Sequence, residues 1–155
     1  MKKWEDSPAY PTYPGKDGAI DYSEGIFVGY RHFDHANIEP QFPFGHGLSY
    51  TSFAYENLAL DVKKTDQGNV VGVSFDVRNT GGREGGEVAQ VYVHDKASSI
   101  ARPPKELKGF ARVVLKPGET KRVSITLDNG ALAFYDPAKH TWVVEPGTFE
   151  VLVGS

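Results

Sequence analysis

Residues 52–155 alternate apolar and polar side chains, and this pattern limits the possible folds more than any other feature of the sequence. The clearest run has apolar side chains at Val71, Val73, Phe75 and Val77. Successive side chains of a strand point to opposite faces, so such a run predicts a strand with one face in a core. We predict further strands at 88–93, 122–127 and 148–153, and at Phe53–Val62, Leu107–Leu115, Leu132–Tyr135 and Thr141–Val144.

Turn-forming residues separate these runs. They occur at 66–68, 79–82, 116–119, 128–130 and 145–147. Glycine supplies a positive φ in such turns and proline presets their first backbone angle. About seven short strands joined in this way are typical of an antiparallel sandwich of the immunoglobulin or fibronectin type III kind. The predicted fold class is therefore an all-β sandwich that follows a largely irregular N-terminal leader.

The leader has a different composition, rich in Gly, Pro, Tyr, Phe and His, as in PTYPG at 11–15 and FPFGHG at 42–47. Pro and Gly at this spacing exclude long helices and interrupt strands. One short strand is predicted at Gly25–Phe33, where both faces carry apolar groups and need cover. We divide the chain into a leader, residues 1–50, and a sandwich domain, residues 51–155.

Charge and cysteine content argue against several classes of partner. The net charge is -3 and no basic block appears, which argues against nucleic acid. The chain has no cysteine, which excludes disulfides, zinc–thiolate sites and thiol nucleophiles. No apolar stretch is long enough to span a membrane. We expect no cofactor, no metal, no nucleic acid and no membrane partner.

The acidic and histidine residues do not form a recognisable catalytic or metal pattern. A glycosidase needs two carboxyl groups about 5–10 Å apart beside a cleft, whereas Asp76 and Glu150 lie on outward strand positions, which predicts a solvated surface. The cluster of His32, Asp34 and His35 lacks a fourth ligand and a metal-binding spacing. We interpret it as a polar strand end that packs against a neighbouring domain.

Four aromatic residues are candidates for a sugar-binding platform, because planar rings stack on pyranose faces. They are Tyr92, Phe134, Tyr135 and Trp142. Aromatic side chains also dominate sandwich cores and interfaces. Packing is therefore the preferred interpretation, and sugar binding is the alternative.

Two leader segments resemble the C-terminal region of glycoside hydrolase family 3, which comprises β-glucosidases, β-xylosidases and relatives. They are YSEGIFVGYRHFD at 22–34 and PQFPFGHGLSYT at 40–51. The sandwich domain resembles the fibronectin type III-like domain that closes many of these enzymes. Its matching segments are VRNTG at 77–81, GEVAQVYV at 86–93, RPPKELKGF at 102–110, LKPGET at 115–120, and 142–154. The resemblance covers essentially the whole chain.

This resemblance implies a function without a catalytic site. In the family, the nucleophilic aspartate lies in a barrel and the acid/base glutamate in the α/β sandwich domain that follows, both before the matched region. No catalytic residue carries over, and Glu24 is not the acid/base residue although it lies in a family motif. The leader is then the tail of the α/β sandwich domain. The expected function is a non-catalytic accessory domain of a family 3 β-glycosidase that hydrolyses β-linked glucosides or related sugars.

The expected partner is the set of catalytic domains in the same parent chain. The candidate docking residues are Phe27, Tyr30, Arg31, Phe42 and Phe44 in the leader, with Arg102 and Pro103 in the sandwich domain. The leader aromatics would be exposed unless they fold back on the sandwich or pair with another copy. Two alternatives remain open. An autonomous polysaccharide- or lignin-binding module needs a flat row of exposed aromatics, and an independent enzyme needs a pocket with two convergent carboxylates.

Overall fold

The computed structural model describes residues 1–155, and strands account for most of its regular structure. One short α-helix, α1, spans Tyr30–His35, and single 3₁₀ turns lie at Trp4–Asp6 and Asn129–Ala131. None of the helices has the length and apolar character needed to cross a lipid bilayer. The strands are β1 Phe53–Thr65, β2 Gly68–Asn79, β3 Gly85–Asp95, β4 Glu106–Leu115, β5 Thr120–Leu127, β6 Phe134–Asp136, β7 Thr141–Val143 and β8 Phe149–Gly154.

Six of these strands form two three-stranded antiparallel sheets, and β6 and β7 form a separate hairpin. One sheet has the order β1-β2-β5 and the other β4-β3-β8. The predicted class, an all-β antiparallel sandwich, is confirmed.

The core lies between the two sheets and follows the sequence alternation. On β2 the buried positions are Val71, Val73, Phe75 and Val77, while the residues between them are less buried. On β3 the alternation continues with buried Ala89, Val91 and Val93. A strand needs alternating apolar and polar side chains when only one face of its sheet is buried. The burial of these residues therefore explains the alternation in the sequence.

The segment Gly25–Phe33 forms no strand, and that prediction is wrong. Its path is broken at Gly25 and Gly29, whose φ angles are +55° and +57°. These left-handed conformations suit glycine and interrupt an extended chain. Tight turns precede α1. In one of them the Phe27 amide donates a hydrogen bond to the Glu24 carbonyl. The alternating aromatic residues therefore lie in a tight turn and in the short helix α1 that follows it.

The side chain of Asn79 links four parts of the domain. It is fully buried at the end of β2. Its amide nitrogen donates to the carbonyls of Arg83, at 2.7 Å, and Leu115, at 2.9 Å. Its oxygen accepts hydrogen bonds from the Thr51 hydroxyl and the Gly81 amide. All four hydrogen-bonding positions of the side chain are therefore occupied.

We expect Asn79→Ala to lower the free energy of unfolding by about 3 kcal/mol, because buried partner groups lose their hydrogen bonds. Urea denaturation followed by circular dichroism measures this difference. Ser124→Ala, on an exposed position of β5, is the control and should change the stability by no more than about 0.5 kcal/mol. Equal stability of the two variants would contradict the role given to Asn79.

Candidate docking surface

The leader packs on the outer face of the β4-β3-β8 sheet, and Tyr30 is its central contact. The Tyr30 ring meets Tyr92 of β3 edge-on, with 5.8 Å between ring centroids, and lies 5.3 Å from Phe44. Its hydroxyl oxygen accepts a hydrogen bond of 2.8 Å from the Leu107 amide of β4. One side chain thus joins α1, a second leader segment and two strands of the sandwich.

An ion pair fixes α1 beside the start of β4. The ammonium group of Lys105 donates to Oδ1 of Asp34 at 3.2 Å. The same nitrogen lies 5.8 Å from the centre of the Tyr92 ring. Burial raises the pKa of the Tyr92 hydroxyl, with added contributions from Tyr30 and Asp34. The leader therefore meets the sheet through a mixed aromatic and charged contact.

A second contact brings the leader backbone against β3. Gly45 has a φ of +85°, and a Cβ at this position would lie 2.4 Å from Nε2 of Gln90. Gln90 points to the outer face of the sheet, yet it is only 4% exposed because the leader covers it. Its side-chain oxygen also accepts a hydrogen bond from Tyr92. A side chain at position 45 would require Gln90 to move, and the left-handed φ would be strained for any residue other than glycine.

A groove of about 440 Å³ remains where the leader crosses the sheet. Phe33, Phe42, Phe44, Tyr92 and Leu152 contribute its apolar wall. Other parts of the leader surface are uncovered, and the most exposed large side chains of the leader are Tyr22, Phe42, Leu48 and Tyr50. The leader thus packs on the sandwich in part and leaves large apolar side chains toward solvent. We call this exposed surface, defined by Tyr22, Phe42, Leu48 and Tyr50, the free leader face.

The predicted docking residues of the leader lie at the groove or beside α1. Tyr30 and Phe44 meet at the groove, and Phe42 lies beside them with 65% of its surface exposed. Phe27 is half-buried and stacks on His35 at 4.1 Å, and the Arg31 guanidinium lies 6.0 Å from the Tyr30 ring centre. The leader aromatics have therefore folded back on the sandwich in part.

Arg102 and Pro103 have a different role from the docking role that the sequence suggested. The Arg102 side chain is only 4% exposed and its guanidinium pairs with Asp95, at 3.1 Å, and Glu106, at 2.9 Å. It also donates to the Leu132 carbonyl. Pro103 is buried. Both residues belong to the packing of the domain itself, which corrects the prediction.

The Arg102 cluster also affects the acidity of Glu106. Burial alone would raise the pKa of this carboxyl group, but Lys108 and Arg102 outweigh burial and hold the pKa below its usual value. The Lys108 ammonium lies 2.9 Å from Oε2 of Glu106. The ionised form of Glu106 is therefore favoured in the folded chain.

The three candidate metal ligands do not converge, because each engages a different group. Nε2 of His32 lies 3.1 Å from the carbonyl oxygen of Asp6, Asp34 binds Lys105, and His35 stacks on Phe27. No group of three His, Asp or Glu side chains is placed to hold a metal ion. His32 and His35 contact other parts of the leader, and Asp34 contacts the sandwich. All three residues lie on α1 and not on the predicted strand end.

The exposed carboxylates are held by basic neighbours. Asp76 accepts hydrogen bonds from Asn57 and Arg122, which lower the pKa of its carboxyl group. Glu150 pairs with Lys96 at 2.6 Å and with His94 at 3.2 Å, and its pKa is lowered as well. Neither carboxylate faces a second one across a cleft. This arrangement fits surface ion pairs rather than an acid/base pair.

The four aromatic candidates for a sugar platform are scattered. Phe134 is buried and Tyr92 lies beneath the leader, so for these two the packing interpretation is correct. Tyr135 and Trp142 face each other across the β6–β7 hairpin and are 47% and 68% exposed, so neither is a core residue, and packing at an interface stays a prediction for both. Their rings meet at 71°, which gives an edge-on pair instead of a flat row.

Comparison with known proteins agrees with this architecture. Residues 87–155 match the family described as "Fibronectin type III-like domain". The part of the sandwich from β3 to β8 is therefore similar to that family, and the leader packs on the sheet that contains these two strands.

The whole chain, leader included, is similar to part of several β-glucosidases. It is 48% identical to thermostable beta-glucosidase B of Acetivibrio thermocellus, over 98% of this chain and 20% of that protein. The crystal structure of the Bifidobacterium adolescentis GH3 beta-glucosidase matches with 41% identity and a TM-score of 0.87, over 97% of this chain and 22% of that one. Beta-glucosidase 3B from Thermotoga neapolitana matches with 37% identity and a TM-score of 0.87, over 99% and 21%.

The chain thus spans about a fifth of the length of these relatives. In sequence and fold it corresponds to a segment of glycoside hydrolase family 3 β-glucosidases, which confirms the resemblance seen in the sequence.

We expect Gly45→Ala to loosen the leader from the sandwich, because the new Cβ would collide with Gln90 and the left-handed φ is strained for alanine. Limited proteolysis should cut the leader of this variant faster than that of the unchanged chain. Gly47→Ala is the matched control, since a Cβ there meets no atom within 4 Å. Equal cleavage rates for both variants would contradict the packing described.

We expect the stabilising effect of Glu106 to disappear in acid. Because its folded pKa is lowered, the contribution is complete above the unfolded pKa of about 4.3 and is lost as the pH falls through the folded pKa. Melting temperatures of the unchanged chain and Glu106→Gln, measured between about pH 3 and pH 7, should therefore converge at the acid end. The exposed Glu84→Gln serves as control. A constant difference across this range would be evidence against the pairing.

Proposed function

We propose that the chain is a non-catalytic accessory domain of a family 3 β-glycosidase that acts on β-linked glucosides or related sugars. The observation that carries the proposal is the match of 98% of this chain to only 20% of beta-glucosidase B. A segment of that size, folded as a sandwich with an attached leader, fits a supporting module beside catalytic domains.

The free leader face supports docking to the catalytic domains of the same parent chain. Leu48 and Tyr50 expose 93% and 88% of their surfaces, and Phe42 and Tyr22 are also strongly exposed. Large apolar side chains left exposed in this number are a feature of interaction surfaces in soluble proteins. Covering it would stabilise the assembly by roughly 25 cal/mol for each Å² of apolar surface removed from water.

The arrangement of charged groups supports a non-catalytic role. Glycosidases of the common type use two carboxyl groups that flank a sugar-sized cleft. Asp95 and Glu106, whose side chains are 3% and 12% exposed, both bind Arg102 inside the domain. Among the side chains that line the groove beside the leader, Asp34 is the one carboxylate, and it is paired with Lys105. The proposal therefore assigns the chemistry to other domains of the parent.

A chimera tests the proposal. Beta-glucosidase B of Acetivibrio thermocellus without its aligned segment should melt at a lower temperature than the intact enzyme, and insertion of the present chain should restore the melting temperature. The double change Phe42→Ser and Tyr50→Ser should weaken this restoration, because it removes apolar area from the free leader face. Leu58→Ser, an exposed change on β1, is the matched control.

Two results would contradict the proposal. One is an unchanged melting temperature after removal of the segment, which would exclude a stabilising role. The other is hydrolysis of an aryl-β-glucoside by the isolated 155-residue chain, for which we expect no turnover.

A further inference from the structure

The two sheets of the sandwich have different outer faces. On the β1-β2-β5 sheet this face is polar, with Ser74 opposite Ser124 and Asp76 opposite Arg122. The Arg122 guanidinium donates to Ser74 at 2.7 Å and to Asp76 at 3.1 Å. An antiparallel sheet commonly buries one face and exposes the other to water. The β1-β2-β5 sheet follows this rule.

The outer face of the β4-β3-β8 sheet does not follow it, and the leader covers only part of this face. The covered part includes Gln90, which lies beneath Gly45. Three apolar side chains of β3 and β4 remain open to solvent. Val88, Phe110 and Val114 are 42%, 69% and 39% exposed. Part of this sheet therefore has an apolar surface without cover.

The pairing of β3 with β4 places these side chains on one face. Phe110 lies opposite Gln90, and Val88 lies opposite Arg112. Opposite residues share a face of the sheet, and so do residues two positions apart along a strand. The exposed side chains are therefore neighbours on the face that the leader partly covers. We call this surface, defined by Val88, Phe110, Arg112 and Val114, the β4 patch.

Arg112 determines which chemistry the β4 patch can recognise. Its guanidinium lies against β3, since a Cβ on Gly86 would come within 3.0 Å of Nη2. The arginine ion pairs of the chain are those of Arg102 and Arg122, so Arg112 has no carboxylate partner. A planar guanidinium can bind a carboxylate through two parallel hydrogen bonds. The patch thus suits a surface that offers an apolar group to Phe110 and a carboxylate to Arg112.

The position of the β4 patch favours one occupant. The leader already covers the neighbouring part of this sheet face, with Gly45 over Gln90 and Tyr30 on β3. Under the proposed function the catalytic domains dock on the leader, so they approach the sandwich from this side. A second copy fits less well, because a two-fold pairing of two patches would bring two unpaired Arg112 guanidinium groups together.

We propose that the β4 patch is a second docking surface for the catalytic domains of the same parent chain. It continues the contact between leader and sheet, and its residues differ from those of the free leader face. The inference rests on the proposed function. In the parent, Phe110 packs against an apolar group of those domains and Arg112 pairs with one of their carboxylates. Aromatic and arginine side chains are enriched at protein interfaces, which fits this role.

The reactivity of arginine side chains tests the proposal. Phenylglyoxal modifies accessible guanidinium groups, and mass spectrometry of proteolytic fragments gives the rate at each residue. The isolated chain is compared with beta-glucosidase B of Acetivibrio thermocellus that carries this chain in place of the aligned segment. We expect Arg112 to react several-fold more slowly in the chimera, because docking covers it. Arg78, exposed on the outer face of the other sheet, is the matched control and should react equally in both.

A substitution of Phe110 gives an independent readout. Phe110→Ser should lower the melting temperature of the chimera more than that of the isolated chain, where most of the ring already meets water. Leu58→Ser, an exposed change on the other sheet, is the control and should have the same effect in both settings.

Three results would overturn the proposal. If the chimera regains the melting temperature of the intact enzyme but Arg112 reacts as fast as in the isolated chain, the β4 patch is not a docking surface, and the proposed function stands. If the chimera does not regain that melting temperature, the proposed function fails and this inference fails with it. If Arg112 of the isolated chain reacts more slowly as the concentration rises, the occupant is a second copy.

Discussion

The buried Asn79 side chain lies where the start of β1, the β2–β3 loop and the end of β4 meet. Each of these segments leaves backbone groups that no strand ladder can satisfy, and an unpaired polar group in a dry interior is costly. One amide with two donors and two acceptors satisfies them together. Its partner Thr51, the first residue after the leader, is held by this hydrogen bond, so the same interaction sets where the leader leaves the domain.

From that fixed point the leader packs over the β4-β3-β8 sheet. Tyr30, Asp34 and Gly45 hold it there through an aromatic contact, an ion pair and a close backbone approach. The leader and sandwich then present a single composite surface, with the free leader face turned outward. Under the proposed function, this face docks on the catalytic domains of the parent chain.

The sequence predicted well the features that depend on alternation within one strand. It predicted less well the features that depend on contacts between residues far apart in the sequence. The buried face of β2 followed directly from alternation, because a strand can bury only every second residue against one layer. The Arg102 prediction failed because its partners become neighbours only when β3 and β4 pair, with Val93 opposite Glu106. The Gly25–Phe33 prediction failed because two left-handed glycines redirect a segment whose side chains alternate as a strand would. Gln90 had no sequence signal of burial, since the leader that covers it lies 45 residues away.

The central claim is that the leader belongs to the sandwich on one face and to catalytic domains on the other. Hydrogen exchange at residues 42–50 tests it most directly, measured in the isolated chain and in beta-glucosidase B of Acetivibrio thermocellus with this chain in place of the aligned segment. The account predicts slower exchange of these amides in the full-length enzyme, because the free leader face is covered there. Equal exchange in both settings would contradict it.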